Sequence, residues 1–84
     1  AALPREMKAA AAAIADGADV ARTLAKLEVD LIDAGFASVD YATLADAVTL
    51  APLTETGHAP MRLLVAARIG GTRLIDNMPV GGAR

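Results

Sequence analysis

Arg68 and Arg73 flank a Gly70-Gly71 dipeptide and carry the most suggestive chemistry in this 84-residue sequence. Glycines take positive φ cheaply at both central positions of a two-residue hairpin. Such a turn sets Arg68 directly opposite Arg73, and like charges facing each other on a sheet are destabilising unless something negative lies between them. The pair therefore reads as an anion contact, to a phosphate or carboxylate, or as an interface contact. The alternatives are side chains splayed into solvent beside the turn, or pairing with acidic residues of the first half.

The other reactive side chains form no set. The same register puts Asp76 opposite Val65 on the core-facing side of the last strand, where a carboxylate needs backbone N–H groups or a cation. A structural hydrogen bond near the strand end, shared with Asn77, is the simpler reading than catalysis. His58 is the only histidine, in a polar loop near Glu55, and one imidazole makes a poor metal site. Ser38 is the only serine and begins a strand, so no serine–histidine pairing is expected. Gly70-Gly71 is no phosphate loop, because neither a helix N-terminus nor a lysine follows it. No catalytic residue and no metal ligand set is assigned.

Composition narrows the classes further. The chain holds no cysteine, which excludes a disulfide scaffold, a thiol nucleophile and a zinc-thiolate site together. Hydrophobic residues make up 55%, too many for a disordered tail, while aromatics are 2%, so Leu, Val, Ile, Met and Ala must build the core. Residues 1–46 carry four cations against eight anions, and residues 47–84 four cations against two anions. An acidic first half without stacking aromatics argues against nucleic acid as a partner. No apolar run reaches the ~18 residues of a membrane span and no signal-peptide layout opens the chain, so a cytoplasmic protein without membrane contact is expected.

One small domain over 1–84 must position these residues. Pro4 to Ala15 reads as a helix, with Met7, Ala10, Ala11 and Ile14 on one face and Asp16-Gly17 as its stop. Asp19 is the expected N-cap of a second helix. Val20, Leu24, Leu27 and Leu31 form that helix's core stripe, Ile32 widens it, and Gly35 ends it. Residues 1–36 thus predict an antiparallel helix hairpin. Residues 37–78 predict three strands: Val39 to Leu44, then Met61 to Ile69 and Thr72 to Met78 as a β-hairpin, with a short helical turn near 46–51. Met61, Leu63, Val65, Ala67 and Ile69 should face the helices. Arg62, Leu64, Ala66, Arg68, Arg73, Ile75 and Asn77 share the other face, which mixes apolar and basic side chains. Residues 79–84 read as a flexible tail. The fold class is α+β, a helix hairpin packed on a small three-stranded antiparallel sheet that ends in a β-hairpin.

Three segments carry a resemblance: Val39-Asp40-Tyr41, Asp46-Ala47-Val48-Thr49-Leu50-Ala51-Pro52-Leu53, and Leu64-Val65-Ala66-Ala67 followed through Gly70 by Arg73-Leu74-Ile75-Asp76-Asn77. Their order and spacing resemble the C-terminal domain of the pantothenate synthetase (pantoate–β-alanine ligase) family, and the alanine-rich helix pair fits too. The resemblance implies an ATP-dependent ligase that joins pantoate and β-alanine through a pantoyl-adenylate. It places the chemistry in an N-terminal nucleotide-binding domain bearing an H-x-G-H motif, with an S-S-R-N segment just before the C-terminal domain. Neither motif occurs here, since His58 stands in Gly57-His58-Ala59-Pro60. No family catalytic residue is carried over.

What the resemblance leaves for this chain is a lid, inactive alone, closing over the N-terminal catalytic domain of the same polypeptide. ATP and Mg then belong to the parent enzyme, and no cofactor to this chain. Two other classes compete. A freestanding interaction module would dimerise or dock on another protein, and a homodimer is one way to cover an exposed apolar surface. An anion or nucleotide binder in its own right would rest on Arg68 and Arg73.

Overall fold

The alanine-rich start folds as helix α1 (Ala2–Ala15), beginning slightly before Pro4 because proline is tolerated in a first turn. In the computed structural model, residues 1–57 and 59–81 are described. Helix α2 (Val20–Asp33) starts at Asp19, whose carboxylate accepts the Arg22 N–H at 2.9 Å, as its N-cap position predicts. Gly35 closes it at φ 114°, which brings the Phe36 N–H onto the Leu31 carbonyl at 3.0 Å and turns Phe36 into the core.

Three strands follow, β1 (Ser38–Asp46), β2 (Met61–Ile69) and β3 (Thr72–Val80), in the antiparallel order β1-β2-β3. Gly70 and Gly71 have φ of 55° and 81°, the two positive values a tight hairpin requires. The register follows: Arg68 faces Arg73, Ala67 faces Leu74, Ala66 faces Ile75 and Val65 faces Asp76. The strand pair runs past Met78, with Pro79 opposite Arg62 and Val80 opposite Met61. Val80 is 1% exposed, so residues 79 and 80 are not tail as expected but strand, anchored by a buried valine. The tail expectation for 82–84 lies outside the described residues.

Between β1 and β2 the chain makes a turn at 47–49, where the Asp46 carboxylate accepts the Val48 and Thr49 N–H groups and the Asp46 carbonyl accepts the Leu50 N–H at 2.9 Å. Residues 51–53 then lie back along the end of β1, through Leu53 N–H to the Leu44 carbonyl at 2.8 Å and a bridge from Ala45 to Pro52.

Both helices cover one face of the sheet, making a two-layer α+β fold. Met7, Ile14 and Leu31 meet Leu44, Leu63 and Val65 in the core. The expected inward face of β2 is buried there, with Ile69 packed against its edge. Ile32 departs from expectation. It is 45% exposed, because the adjacent Leu31 already occupies the helix face turned to the sheet.

Candidate functional site

The sheet has one face covered by helices and one face open. Alternation along β2 and β3 sends Arg62, Leu64, Ala66, Arg68, Arg73, Ile75 and Asn77 to the open side, and the register aligns them in rows across the strands. Tyr41, Ala66 and Ile75 form the central row. Ile75 is 61% exposed and Tyr41 39%, while the small Ala66 between them is buried. An apolar strip thus crosses the face, bracketed by polar groups. On one side Arg62 Nε donates to the Asn77 side-chain oxygen at 2.9 Å. On the other lie Arg68 and Arg73.

The strand register of β1 is interrupted between Val39, which faces Ala67, and Tyr41, which faces Ala66. Asp40 is the extra residue of this β-bulge. A bulge lets two consecutive residues oppose one partner and share a face. Val39 and Ala42 can therefore both pack against the core while Asp40 and Tyr41 sit on the open side. That placement brings Asp40 between the two arginines: its carboxylate accepts from Arg73 Nε at 2.8 Å and from Arg68 Nε at 3.4 Å. The Arg73 hydrogen bond, reinforced by the charges of both guanidinium groups, holds the Asp40 carboxyl below the ordinary carboxylate range.

The anion that relieves the Arg68–Arg73 opposition is therefore within the same sheet. Two cations share one carboxylate, which leaves the cluster one positive charge in excess. Both bonds use Nε, and a guanidinium has five N–H donors, so each arginine keeps donors for a further acceptor. The open face carries three arginines against Asp40, and its charge complement is an acidic or anionic surface.

The remaining sequence candidates are dispersed. Asp76 faces Val65 at the inner edge of β3, half-buried, and accepts the Asn77 N–H at 2.8 Å, a structural hydrogen bond at the strand. Ser38 opposes Arg68 at the start of β1. The loop assignment of His58 lies outside the described residues. Among the described residues no group of three or more His, Cys, Asp or Glu is gathered in one place. Gly70-Gly71 leads into a strand, not a helix, and Asp40 is engaged by arginines. Among the described residues these groups do not assemble a Mg site. No described helix is long and apolar enough to cross a membrane.

Alternation alone missed the bulge that gives Asp40 its place. The only trace in the sequence is that both Val39 and Ala42 are apolar around a polar Asp40, which a strict period of two cannot accommodate.

Comparison with known proteins bears on the same geometry. Residues 1–79 match the family model described as pantoate-beta-alanine ligase. The chain is 62% identical over 81 residues to the pantothenate synthetase of Sphingopyxis alaskensis, covering 96% of this chain and 29% of that protein. It is 57% identical over 79 residues to the pantothenate synthetase of Novosphingobium aromaticivorans, covering 94% of this chain and 28% of that one. The crystal structure of pantothenate synthetase from Thermus thermophilus superimposes with a TM-score of 0.78 at 33% identity, again over 94% of this chain and 28% of the other. The chain thus spans under a third of the length of these relatives.

Proposed function

The chain belongs to the pantoate–β-alanine ligase family as a match to its C-terminal domain, and from that premise we propose that it is the lid of an ATP-dependent pantothenate synthetase. In this reading the N-terminal remainder of the polypeptide binds the substrates. The carboxylate of pantoate takes an adenylyl group from ATP with release of pyrophosphate, and the amine of β-alanine then displaces AMP. The intermediate acyl-adenylate is a mixed anhydride that water destroys, so a domain that closes over it protects the reaction.

The observation that carries this reading is the two-sided sheet. One face is packed against α1 and α2, and the other presents Tyr41, Leu64 and Ile75 between basic groups. Such a face suits a surface that is apolar in the middle and anionic toward Arg68 and Arg73. These two arginines are the residues assigned to that contact; they are interface or anion contacts and not catalytic groups.

Two measurements test the proposal. The isolated 84-residue chain, incubated with ATP, Mg, pantoate and β-alanine, is expected to form no pantothenate; robust formation overturns the lid reading. In the full-length polypeptide, Arg73→Ala is expected to lower turnover. Wild-type turnover in that variant removes the arginine contact.

A further inference from the structure

The two outer edges of the sheet are finished differently. Along β1 the bulge at Asp40 interrupts the edge, and residues 51–53 pair with its far end. There the Asp46 N–H donates to the Ala51 carbonyl at 3.0 Å and the Leu53 N–H to the Leu44 carbonyl at 2.8 Å. The outer edge of β3 pairs with no other strand among the described residues, and Arg73, Leu74, Ile75 and Asn77 along it are exposed. Such an edge is a template for a strand of another molecule, and a second copy of β3 is the strand always at hand.

The hairpin decides which backbone groups point outward. Ile69 and Thr72 flank a two-residue turn, so they exchange both of their backbone hydrogen bonds, and bonded and unbonded pairs alternate from there along the ladder. Thr72, Leu74, Asp76, Met78 and Val80 turn their backbone groups toward β2. Arg73, Ile75, Asn77 and Pro79 turn theirs outward. Proline has no N–H to offer. The Asn77 N–H is already held by the Asp76 carboxylate at 2.8 Å. Among the described residues, Arg73 and Ile75 are left with both outward groups available.

We propose that Asp76 is the residue that keeps β3 from pairing with a second copy of itself. In a two-fold antiparallel pairing the axis can fall at any residue from Arg73 to Asn77, and each position meets an obstacle. Arg73 opposite its own copy sets like charges together. Leu74 at the axis engages only Arg73 and Ile75, and strands run about three residues or more. Ile75 at the axis would engage all three outward donors, with Arg73 opposite Asn77 of the second copy. There the Asn77 N–H is taken, and the Asp76 carboxylate would be pressed beside the apolar Leu74 of the second copy. Asp76 at the axis sets two carboxylates together. Asn77 at the axis puts Pro79 against Ile75, where the missing N–H breaks the ladder. Asp76 therefore closes the two central registers. The Ile75-centred one is otherwise the best of the set, because it would join the exposed Ile75 side chains and run the Tyr41, Ala66, Ile75 row across both sheets. A half-buried carboxylate on the inner side of an edge strand thus has a use that its one hydrogen bond does not exhaust. This role depends on the strand register and not on the lid reading.

Sedimentation equilibrium of the 84-residue chain tests it. Asp76→Val is expected to raise the dimer association constant at least tenfold over the unsubstituted chain; no rise overturns the proposal. Thr72→Val puts a valine on the same side of β3 and leaves Asp76 in place, and it is expected to keep the unsubstituted value. An equal rise in Thr72→Val overturns the proposal, since the gain is then general apolar adhesion. Adding Ile75→Pro to Asp76→Val removes the N–H at the axis from a position where an edge strand tolerates proline, and it is expected to return the monomer. Association that survives Ile75→Pro runs elsewhere on the surface and overturns it too. Amide exchange on the unsubstituted chain needs no variant. The Arg73 and Ile75 amides are expected to exchange at least tenfold faster than those of Leu74 and Met78, which bond to β2, and at rates independent of protein concentration. Arg73 and Ile75 amides that slow as concentration rises show an edge that pairs despite Asp76, and the proposal fails.

Discussion

Asp40 and Arg73 lie on β1 and β3, strands that do not touch, yet their side chains meet at 2.8 Å above the intervening β2. Neighbouring strands are about 4.8 Å apart, so the contact spans two strand spacings. The β-bulge at Asp40 makes the reach feasible by turning that carboxylate to the open face next to Tyr41. A single side chain thereby ties the outer strands together and neutralises one of two opposed arginines. All three side chains remain partly exposed, at 26% for Asp40, 42% for Arg73 and 54% for Arg68. Exposed ion pairs contribute modestly to stability, so the cluster's weight is positional.

Removing the shared anion leaves the two cations facing each other. Asp40→Asn is expected to lower the thermal midpoint of the chain, and adding Arg73→Ala to Asp40→Asn is expected to recover part of the loss. Arg73→Ala alone leaves Asp40 bonded to Arg68 and is expected to lower the midpoint only slightly. Thermal melts of the three variants at low salt decide this, and equal midpoints for the single and double Asp40 variants would show that the Arg68–Arg73 repulsion is negligible.

Acid acts on the same group in a defined direction. The Asp40 carboxyl titrates below its ordinary value because Arg73 donates to it, and Asp46 does so because Thr49 and Val48 donate their N–H groups. A carboxyl whose folded pKa is depressed contributes stability above its unfolded value, about pH 3.9, and loses it as pH falls through the folded value. Stability is therefore expected to be flat from neutrality to about pH 5 and to fall below about pH 4. Asp40→Asn and Asp46→Asn are each expected to flatten that acid limb. The check is denaturant unfolding across the acid range, where an unchanged slope in both variants would be contrary to the assignment.

Core positions separate sharply from their neighbours. Leu63 and Leu31 are completely buried, so Leu63→Ala or Leu31→Ala is expected to cost about 2–5 kcal/mol and to threaten folding of so small a domain. Ile32 is next in sequence to Leu31 but 45% exposed, and Ile32→Ala is expected to cost less than about 1 kcal/mol. Urea unfolding of the pair measures the contrast directly.

What the sequence discloses and what it conceals divide along locality. Asp19, Gly35 and the Gly70-Gly71 pair are local signals, and each acts on residues within one turn of itself. Helix boundaries, hairpin register and the inward set of β2 are consequently legible, including the opposition of Arg68 and Arg73. The bulge at Asp40 is not, because it is decided by packing: both Val39 and Ala42 gain more from the core than strict alternation would allow. The end of β3 is obscured by Pro79 and Gly81, which read as a break, although an edge strand tolerates proline and Val80 needs burial. Membership of the pantoate–β-alanine ligase family comes from similarity to known proteins, since nothing in the composition of this chain specifies a reaction.

The hairpin turn offers the sharpest test of how backbone chemistry serves the open face. Gly71 holds φ 81°, and a Cβ there would meet nothing within 4 Å, so any penalty for a side chain is backbone strain without steric contact. A β-branched residue resists that conformation most. Gly71→Val is therefore expected to destabilise the chain by about 1–2 kcal/mol. Gly70, at φ 55°, sits where asparagine is tolerated, and Gly70→Asn is expected to be close to neutral. The functional corollary concerns register. A turn forced to another length slips β3 against β2 by a residue, which moves Arg73 away from Arg68 and Asp40 and sends Ile75 to the inner face. In the full-length polypeptide Gly71→Val is thus expected to lose turnover beyond its loss of stability, and Gly70→Asn to keep it. Arg73 Nε signals in a nitrogen–proton correlation spectrum report whether the Asp40 bond survives. If Gly71→Val keeps that signal and full turnover, the two-glycine turn is not what positions the arginine pair.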